Sequence, residues 1–293
     1  MNKAYVSKGV VVAAFGRQYE VELADRSTAL CYPRGKKSAI ACGDRVTVEL
    51  NSPTQGVISV IAPRDTLLYR SDAFREKLFA ANVTQAIIVV AVEPGFSDEL
   101  IMRCIIAAEQ QHLRVVIALN KVDLTEQLAA AHAQLAPMRD LGYTVVELSA
   151  LKEAEAMRPL LNGQTSVLVG QSGMGKSTLI NALLPEARAA TREISAALDS
   201  GKHTTTHTRL YRLDATSALI DSPGMQEFGL SHLTRAEIEQ GFAEFQPYLD
   251  KCRFRDCKHD REPDCALRAA VAAGKISTKR LTLFHAICAS IGK

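Results

Sequence analysis

The sequence predicts an α/β fold: a parallel sheet covered by helices, with a small β-barrel before it and a helical segment after it. Three observations predict this order. Short β-type runs fill residues 1–62, strand-like and helix-like runs alternate from residue 86, and three cysteines and a histidine cluster within 252–265. Such alternation is typical of a sheet with both faces covered. We expect domains at 1–63, 64–228 and 229–293.

Composition restricts the class of protein. The chain has 293 residues and an apolar fraction of 47%, which is ordinary for a globular protein. No apolar run reaches the ~18 residues of a membrane span, and the N-terminus lacks the apolar segment of a secretory signal. The seven cysteines fit a reducing compartment better than a disulfide framework. We therefore expect a cytoplasmic protein with no membrane partner, and a monomer by default.

Charge is distributed unevenly along the chain. Residues 1–62 carry 8 Lys and Arg against 5 Asp and Glu, and residues 250–293 carry 10 against 5. The middle, 63–249, carries 17 against 22. Basic ends around an acidic centre indicate contact with a polyanion such as nucleic acid. Ordinary solvated surface charge explains the same distribution equally well.

The first sixty-two residues read as five short strands separated by Gly, Asp, Asn and Pro. The strands are expected at 9–14, 18–23, 29–32, 45–50 and 56–61. About five strands in about sixty residues is the pattern of an OB-fold barrel, a fold that often binds RNA. Three cations in the 33–37 loop favour RNA contact. A barrel that serves only as a spacer is the alternative.

A phosphate-binding loop is expected at 170–177, which has the form G-x-x-x-x-G-K-S between a strand-like and a helix-like run. Glycines let such a loop turn its N–H groups toward phosphate oxygens at a helix N-terminus. Lys176 would reach the β- and γ-phosphates, and Ser177 would hold Mg²⁺. The predicted nucleotide contacts here are Gly170, Gln171, Ser172, Gly173, Met174, Gly175, Lys176, Ser177 and Thr178.

A guanine-reading motif lies before that loop. Strands are expected at 86–92, 114–120 and 144–150, and helices at 99–111, 125–141 (with Thr125 as cap) and 154–161. The second strand ends in Asn120-Lys121-Val122-Asp123, and the third ends in Ser149-Ala150. The Asp123 carboxylate can accept from guanine N1–H and the 2-amino group, which adenine does not offer together. We expect Asn120 at the opposite edge of the base, Lys121 over its face and the Ala150 N–H at guanine O6.

Two further motifs fit nucleotide switches. A strand ending in Asp221-Ser-Pro-Gly224 has the form D-x-x-G, and a Gly/Thr-rich loop occupies 201–207. Asp221 would coordinate Mg²⁺ mostly through water, and the Gly224 N–H would sense the γ-phosphate. Thr205 is the expected Mg²⁺ ligand in the GTP state. A polar loop without a switch function is the alternative.

The order of these motifs is unusual. A common small GTPase runs from the P-loop through D-x-x-G to N-K-x-D and S-A, whereas here the last two motifs come first. The same sheet can be built if the chain is cut and rejoined elsewhere, because domain termini often lie close together. The sequence therefore predicts a circularly permuted P-loop GTPase domain.

The C-terminal region is predicted to hold one structural zinc ion. A helix is expected at 234–245, followed by Cys252-x₄-Cys257-x-His259-x₅-Cys265. Three cysteines and a histidine match a closed tetrahedral site with no open catalytic position. Buried free cysteines are the alternative, which the surrounding Lys and Arg residues disfavour.

Together, these motifs in this order resemble the RsgA family of bacterial small-ribosomal-subunit-dependent GTPases, also called YjeQ or EngC. The resemblance covers the whole chain. It implies GTP/GDP with Mg²⁺, a small-subunit and rRNA partner, late subunit maturation, subunit-stimulated hydrolysis and release on hydrolysis. Because Met225 follows D-x-x-G where many GTPases carry glutamine, we expect slow intrinsic hydrolysis. The resemblance points to His203 as catalytic, with a solvated loop histidine as the alternative.

Two other functions remain open from the sequence. One is an RNA-binding scaffold that holds nucleotide only as a structural ligand. The other is a GTPase that acts on another RNA, such as tRNA. GTP turnover stimulated by small subunits would distinguish an assembly GTPase from the scaffold. Binding to each purified ribosomal subunit at moderate and high salt would distinguish it from a GTPase that acts on another RNA.

Overall fold

Five N-terminal strands close into a barrel in the computed structural model, which describes residues 5–35, 39–70, 77–184, 208–221 and 228–291. The strands pair in the order β1-β2-β3-β5-β4, and β4 returns to β1. Only the β3–β5 pairing is parallel. This closed barrel confirms the OB-like prediction. Its strands are β1 (Tyr5–Phe15), β2 (Gln18–Leu23), β3 (Thr28–Pro33), β4 (Arg45–Ser52) and β5 (Gln55–Ile61).

The barrel interior follows from the period-2 pattern of its strands. Along β2, Tyr19, Val21 and Leu23 are buried while the residues between them are only partly buried. They pack with Val48 of β4 and Ile58 of β5 in one core cluster. Alternation places one face of each strand inward, so the expected half-buried strand is confirmed.

A hairpin that the sequence analysis missed connects the barrel to the central sheet. It consists of β6 (Leu67–Arg70) and β7 (Lys77–Ala81). Gly43 of the barrel faces β7 so closely that an added Cβ would lie 2.2 Å from the Ala81 carbonyl oxygen. Gly43 also has a φ of +90°, which disfavours other residues. The Asn82 amide donates to the Gly43 carbonyl at 2.9 Å, so the junction is closely packed.

The central sheet carries the nucleotide motifs. It runs β10-β9-β8-β11-β13-β12, with β12 antiparallel to β13 and the other pairings parallel. Every residue of β8 is buried, as expected of a strand covered on both faces. The strands are β8 (Gln85–Ala91), β9 (Arg114–Asn120), β10 (Thr144–Glu147), β11 (Thr165–Val169), β12 (Arg209–Arg212) and β13 (Ala218–Asp221).

The helices described beside this sheet, in the residues outside the gaps at 185–207 and 222–227, are α1 (Asp98–Gln110), α2 (Leu128–Asp140), α3 (Arg158–Leu161) and α4 (Lys176–Leu183). The expectation that Thr125 caps the second helix was wrong. Thr125 instead begins a 3-10 turn, Thr125–Gln127, and Gln127 precedes α2 without a side-chain cap. The intervening turn separates the Thr125 hydroxyl from the free N–H groups of α2. Likewise β10 ends at Glu147, so Ser149 and Ala150 lie in the following loop.

The C-terminal region is helical, as predicted. It contains α5 (Arg235–Gln240), a 3-10 turn (Ala243–Tyr248), α6 (Ala266–Ala272) and α7 (Thr278–Ile291). Thr234 and Glu237 form a capping box at the start of α5. The single helix expected to Phe245 is interrupted after Gln240, where an added Cβ on Gly241 would lie 2.6 Å from Ile106 of α1. The 3-10 turn then brings Phe242 and Phe245 against Phe284 of α7, with centroids 5.6 Å apart.

The barrel and the central sheet are hydrogen-bonded to each other. Ala13 of β1 pairs with Arg209 of β12, which makes one continuous sheet of eleven strands. Two ion pairs, Arg209–Glu20 and Arg212–Glu22, each with a 3.0 Å separation, reinforce this junction. Within the described residues, the helices are too short or too polar to span a bilayer.

Candidate functional site

The phosphate-binding loop is enclosed by the ends of β8 and β9. An added Cβ on Gly170 would lie 2.2 Å from the Val89 carbonyl oxygen, and one on Gly175 would lie 2.2 Å from Asn120 Nδ2. Both glycines have positive φ, +147° and +90°, where a side chain is strained. Gly170 and Gly175 are therefore required by close approach of neighbouring atoms as well as by the turn.

Asn120 joins three of the predicted motifs. Its side chain is buried; Nδ2 donates to the Met174 carbonyl at 2.8 Å, and Oδ1 accepts from the Ala150 N–H at 2.9 Å. We expected the Asn120 side chain at the edge of the base and a free Ala150 N–H. In the structure the Asn120 Oδ1 and the Ala150 N–H are paired with each other, as buried polar groups generally are. Their contacts with the base stay predictions. Asn120 thus positions the P-loop relative to the loop after β10.

Asp123 presents an ionised carboxylate beside this junction. The Ser149 side chain forms a hydrogen bond that lowers the pKa of Asp123 below its ordinary 3.8, and Lys152 adds to the effect. Lys152 Nζ lies 3.6 Å from Asp123 Oδ2. At neutral pH the carboxylate is therefore an acceptor of hydrogen bonds only, as reading the donor edge of guanine requires.

Lys121 adopts a left-handed backbone with a φ of +61°. Its Nζ donates to the Glu93 carbonyl at 2.8 Å, so the side chain extends from the end of β9 toward the loop after β8. Gly173 of the P-loop approaches the same loop, since an added Cβ would lie 3.8 Å from the Pro94 ring. Lys121 thus connects the guanine-reading segment to the surroundings of the P-loop.

Lys176 and Asp221 occupy the phosphate end. Lys176 Nζ donates to the Gly170 and Gln171 carbonyls, the latter at 2.8 Å. Burial lowers the pKa of Lys176 below its ordinary 10.5, and the Asp221 carboxylate opposes that shift. Asp221 is buried at the end of β13, which lies parallel to the P-loop strand. The Lys176 amine and the Asp221 carboxylate are therefore close enough to interact electrostatically, and the sequence predicts phosphate and Mg²⁺ at these two residues.

The remaining predicted contacts fall into three groups. Ser177 and Thr178 lie in the first turn of α4, whose N-terminal N–H groups favour anions. Ser172 lies in the exposed part of the loop between Gly170 and Gly175. His203, Thr205 and Gly224 lie outside the described residues.

The predicted metal ligands converge in the C-terminal region. The ligand atoms of Cys252, Cys257, His259 and Cys265 all lie within 4.8 Å of one another. The three sulfurs lie 3.2–3.5 Å from His259 Nδ1, and the Cys252 and Cys265 sulfurs are 3.9 Å apart. A tetrahedral zinc site with bonds of ~2.3 Å has ligand-to-ligand edges of about 3.8 Å. The four residues can therefore hold one metal ion.

Sequence reasoning missed one partner of this centre. Glu239 Oε1 of α5 lies 3.2 Å from His259 Nε2, on the nitrogen that does not face the cysteines. A carboxylate in that position fixes the orientation of a metal-binding imidazole. Glu239 and His259 are twenty positions apart in the sequence, and no spacing rule connects residues at that separation.

Comparison with known proteins identifies the family of this chain. The family described as RsgA GTPase matches residues 61–231. The chain belongs to the RsgA GTPase family. That assignment, together with the permuted order of the motifs, confirms the predicted GTPase and its circular permutation. The RsgA family also implies a guanine nucleotide with Mg²⁺.

Individual relatives of the RsgA family cover nearly the full chain. The chain is 53% identical over 284 residues to the small ribosomal subunit biogenesis GTPase RsgA of Nitrosospira multiformis, covering 97% of this chain and 91% of that protein. The Burkholderia pseudomallei protein of the same name is 54% identical over 283 residues, covering 95% and 90%.

Two solved structures share the fold. YjeQ from Thermotoga maritima has a TM-score of 0.69 and 28% identity, with 98% of this chain and 99% of that chain covered. YloQ, described as a circularly permuted GTPase, has a TM-score of 0.71 and 25% identity, with 99% and 96% covered. The likeness therefore includes the barrel and the C-terminal region as well as the GTPase domain.

Proposed function

We propose that this chain is a GTP-hydrolysing assembly factor for late maturation of the small ribosomal subunit, acting in the cytoplasm as a monomer. The observation that supports the proposal is the Asn120 junction, which joins the P-loop to the loop after β10 close in sequence to the carboxylate of Asp123. Relatives at 53% and 54% identity are named small ribosomal subunit biogenesis GTPases. The domain boundaries proposed are 1–63, 64–228 and 229–293.

The proposed roles follow from the positions of the residues. Asp123 reads guanine, with Ser149 holding its carboxylate and Lys121 lying along the base. Lys176, freed from the carbonyls it contacts here, binds the β- and γ-phosphates. The P-loop backbone from Gly170 to Thr178 surrounds those phosphates. Ser177, Asp221 and Thr205 hold Mg²⁺, which would neutralise charge on the phosphates, and Gly224 senses the γ-phosphate.

The metal of the C-terminal cluster is proposed to be zinc. Three thiolates and one imidazole are soft and borderline ligands that suit Zn²⁺, and a closed set of four leaves no site for a substrate. Its proposed role is structural. The measurement is metal analysis of the purified protein, with about one zinc per chain expected.

Hydrolysis is proposed to proceed by attack of water on the γ-phosphorus. The bond from that phosphorus to the β–γ bridging oxygen breaks, and GDP leaves with the electron pair. His203 is proposed to orient the water and accept its proton. Because Met225 stands where many GTPases place a glutamine, the reaction is proposed to be slow without the subunit and faster in its presence.

The deciding experiment measures GTP turnover with and without purified small ribosomal subunits. We expect strong stimulation by the subunit, and co-sedimentation with it in the presence of a non-hydrolysable GTP analogue but not GDP. Nucleotide binding without stimulated turnover would support an RNA-binding scaffold instead. Stimulation by tRNA but not by subunits would support a GTPase for another RNA.

The role of His203 has its own test. The His203→Ala variant is expected to bind GTP and GDP as the unchanged protein does, and to lose subunit-stimulated turnover. The His207→Ala variant provides a control from the same segment. Unchanged stimulated turnover in the first variant would contradict the assignment.

A further inference from the structure

A cavity of about 540 Å³ lies where the barrel meets the end of β12. Strands β1, β2 and β4 form its barrel side, and β12 with the turn that follows it forms the opposite side. This volume is within the usual range for small-ligand sites. Among the described residues that line the cavity, none belongs to the predicted nucleotide site or to the metal centre.

The register of the strands brings the charged lining together. Val10 of β1 lies opposite Glu22 of β2 on one side and opposite Arg45 of β4 on the other. Lys8 lies two positions before Val10, so the two side chains point to the same face of β1. The cavity therefore forms over one face of β1, with charged side chains from three adjacent strands around it.

Basic side chains outnumber acidic ones in this lining. Arg45 pairs at 2.7 Å with Asp65, which lies outside the lining. Lys8 is exposed and has no ion pair among the residues that the structure describes. The charged lining consists of Lys8, Arg26, Arg45, Arg212 and Glu22.

The Glu22 carboxylate holds two of the guanidinium groups in place. Its Oε1 accepts from Arg26 Nη1 at 2.9 Å and from Arg212 Nε at 3.1 Å. Only 16% of the Glu22 side chain is exposed, so water competes little for this oxygen. Each guanidinium has five N–H groups, and these contacts use few of them. The remaining donors are therefore held ready for an anion.

Two further carboxylates lie close in sequence but do not line the cavity. Asp25 Oδ1 accepts from the Ser27 N–H and hydroxyl. Asp214 Oδ1 accepts from the N–H groups of Thr216 and Ser217. Both carboxylates thus bind donors of their own turns. The free guanidinium donors, rather than net charge, favour an anion in the cavity.

The rest of the lining is largely apolar, and much of it is small. Leu23 and Val46 are buried beneath the cavity. Ala24, Ala62 and Ala215 form parts of its wall, and their short side chains leave the space between the barrel and β12 unfilled. An apolar floor beside basic side chains suits an organic phosphate better than a bare inorganic ion.

We propose that this cavity binds the phosphate group of an organic phosphate. Guanidinium groups bind phosphate through paired N–H donors, and Lys8 adds an ammonium group. A free nucleoside monophosphate and a nucleotide within an RNA chain offer the same chemistry. A ligand held by Arg45 and Arg212 would contact the barrel and β12 together. It would therefore tie the barrel to the strand that follows the 201–207 loop.

Calorimetric titration of protein saturated with GDP and Mg²⁺ tests this site, because bound GDP occupies the P-loop. Adenosine 5′-monophosphate is the probe, and adenosine is the control without a phosphate. The monophosphate is expected to bind about tenfold or more tightly than adenosine, since charge-assisted hydrogen bonds to the phosphate are lost in the control. Equal affinities would overturn the proposal.

Substitutions of the lining locate the binding. The Lys8→Gln/Arg45→Gln variant is expected to bind the monophosphate about 4- to 25-fold more weakly, since each exposed charge contributes about two- to fivefold. A Lys275→Gln/Arg139→Gln variant, with charges removed far from the cavity, is the matched control. Ala215→Trp fills the cavity while keeping every charge, and is also expected to lose binding. Thermal unfolding without ligand shows whether each variant is folded.

Competition distinguishes the two sources of the phosphate. If a single-stranded adenosine dodecaribonucleotide displaces the monophosphate, or binds alone with the same loss in the lining variants, RNA supplies the phosphate. If the monophosphate binds and the RNA does not compete, the ligand is a small molecule. Unchanged binding in the lining variants, or binding of neither probe, would overturn the proposal. The proposed function is unaffected by that failure, because subunit-stimulated turnover is measured separately.

Discussion

Glu239 Oε1 and His259 Nε2 lie 3.2 Å apart, while the other imidazole nitrogen of His259 faces three cysteine sulfurs. The carboxylate therefore selects the tautomer with hydrogen on Nε2, which leaves Nδ1 as the metal-binding atom. Because Glu239 belongs to α5, the metal centre also ties the loop 252–265 to the helix that packs beside α1. The centre thus stabilises the contact between the C-terminal region and the GTPase domain.

Replacing Glu239 tests this orientation. The Glu239→Gln variant is expected to lose metal about 10- to 100-fold more readily than the unchanged protein, because a neutral amide supports the imidazole less well. Competition with a chromogenic chelator measures the affinity. Asp256→Asn, an exposed change in the same loop, serves as the control and is expected to retain metal normally. Equal retention in both variants would show that Glu239 does not support the ligand.

Removal of the Asn120 side chain is expected to weaken both stability and nucleotide binding. Asn120→Ala leaves the buried Met174 carbonyl and Ala150 N–H without their partner. The free energy of unfolding should fall by about 2–4 kcal/mol, measured by chemical denaturation. GDP affinity, measured by calorimetry, should fall as well. Asn162→Ala at an exposed position is the control. Similar losses in both variants would contradict the role of the Asn120 side chain in joining the P-loop to the loop after β10.

Guanine nucleotide binding should depend on pH through Asp123. Its pKa lies below the ordinary 3.8, so the favourable ionised form is present above that value and is lost as pH falls through the folded-state pKa. The Asp123 contribution to GDP affinity should therefore be constant from about pH 5 to 8 and decline below about pH 4. The GDP affinity of the Asp123→Asn variant is measured over the same pH range. Subtracting its pH dependence removes the effect of protonating the nucleotide itself. A contribution that grows on acidification would contradict the assignment.

The ion pairs between barrel and sheet should contribute measurable coupling. In a double-mutant cycle, Glu20→Ala and Arg209→Ala are expected to interact by about 1 kcal/mol, since both side chains are largely shielded from water. Chemical denaturation of the two single variants and the double variant gives this value. A parallel cycle of Glu20→Ala with Arg114→Ala, on a distant strand, should give no interaction. Additive effects in the first cycle would show that the pair does not couple the domains.

Regular, strongly patterned segments could be predicted from the sequence. Strand β9 has the predicted bounds because a continuous apolar run ends at Asn120, and β2 has them because apolar and polar residues alternate. Strands β6 and β12 were missed, since four residues are too few to show a period. Their existence depends on partners far away in the chain. Whether such short strands form depends on pairing with distant segments, which no local sequence pattern encodes.

In the candidate site, too, local patterns could be predicted and contacts between distant segments could not. Motif spacing located Lys176, Asp123 and the metal ligands, because each chemistry requires given residue types at short separations. It did not show that the Asn120 side chain forms a hydrogen bond with the Ala150 N–H within the protein. Nor did it show that the Glu239 carboxylate contacts the His259 imidazole. Both contacts arise where separate elements pack together. The supporting roles of Asn120 and Glu239 therefore follow from tertiary packing and cannot be read from local motifs.

The pairing of β1 with β12 has a consequence for how this protein is dissected. An uncovered outer strand offers unpaired N–H and C=O groups to any passing chain and promotes aggregation. Here Ala13 of the barrel covers Arg209 of that strand. Deleting the barrel to test RNA binding would uncover it, so a truncated protein could fail by self-association rather than by loss of RNA contacts. Point substitutions on the outer barrel surface separate the two effects.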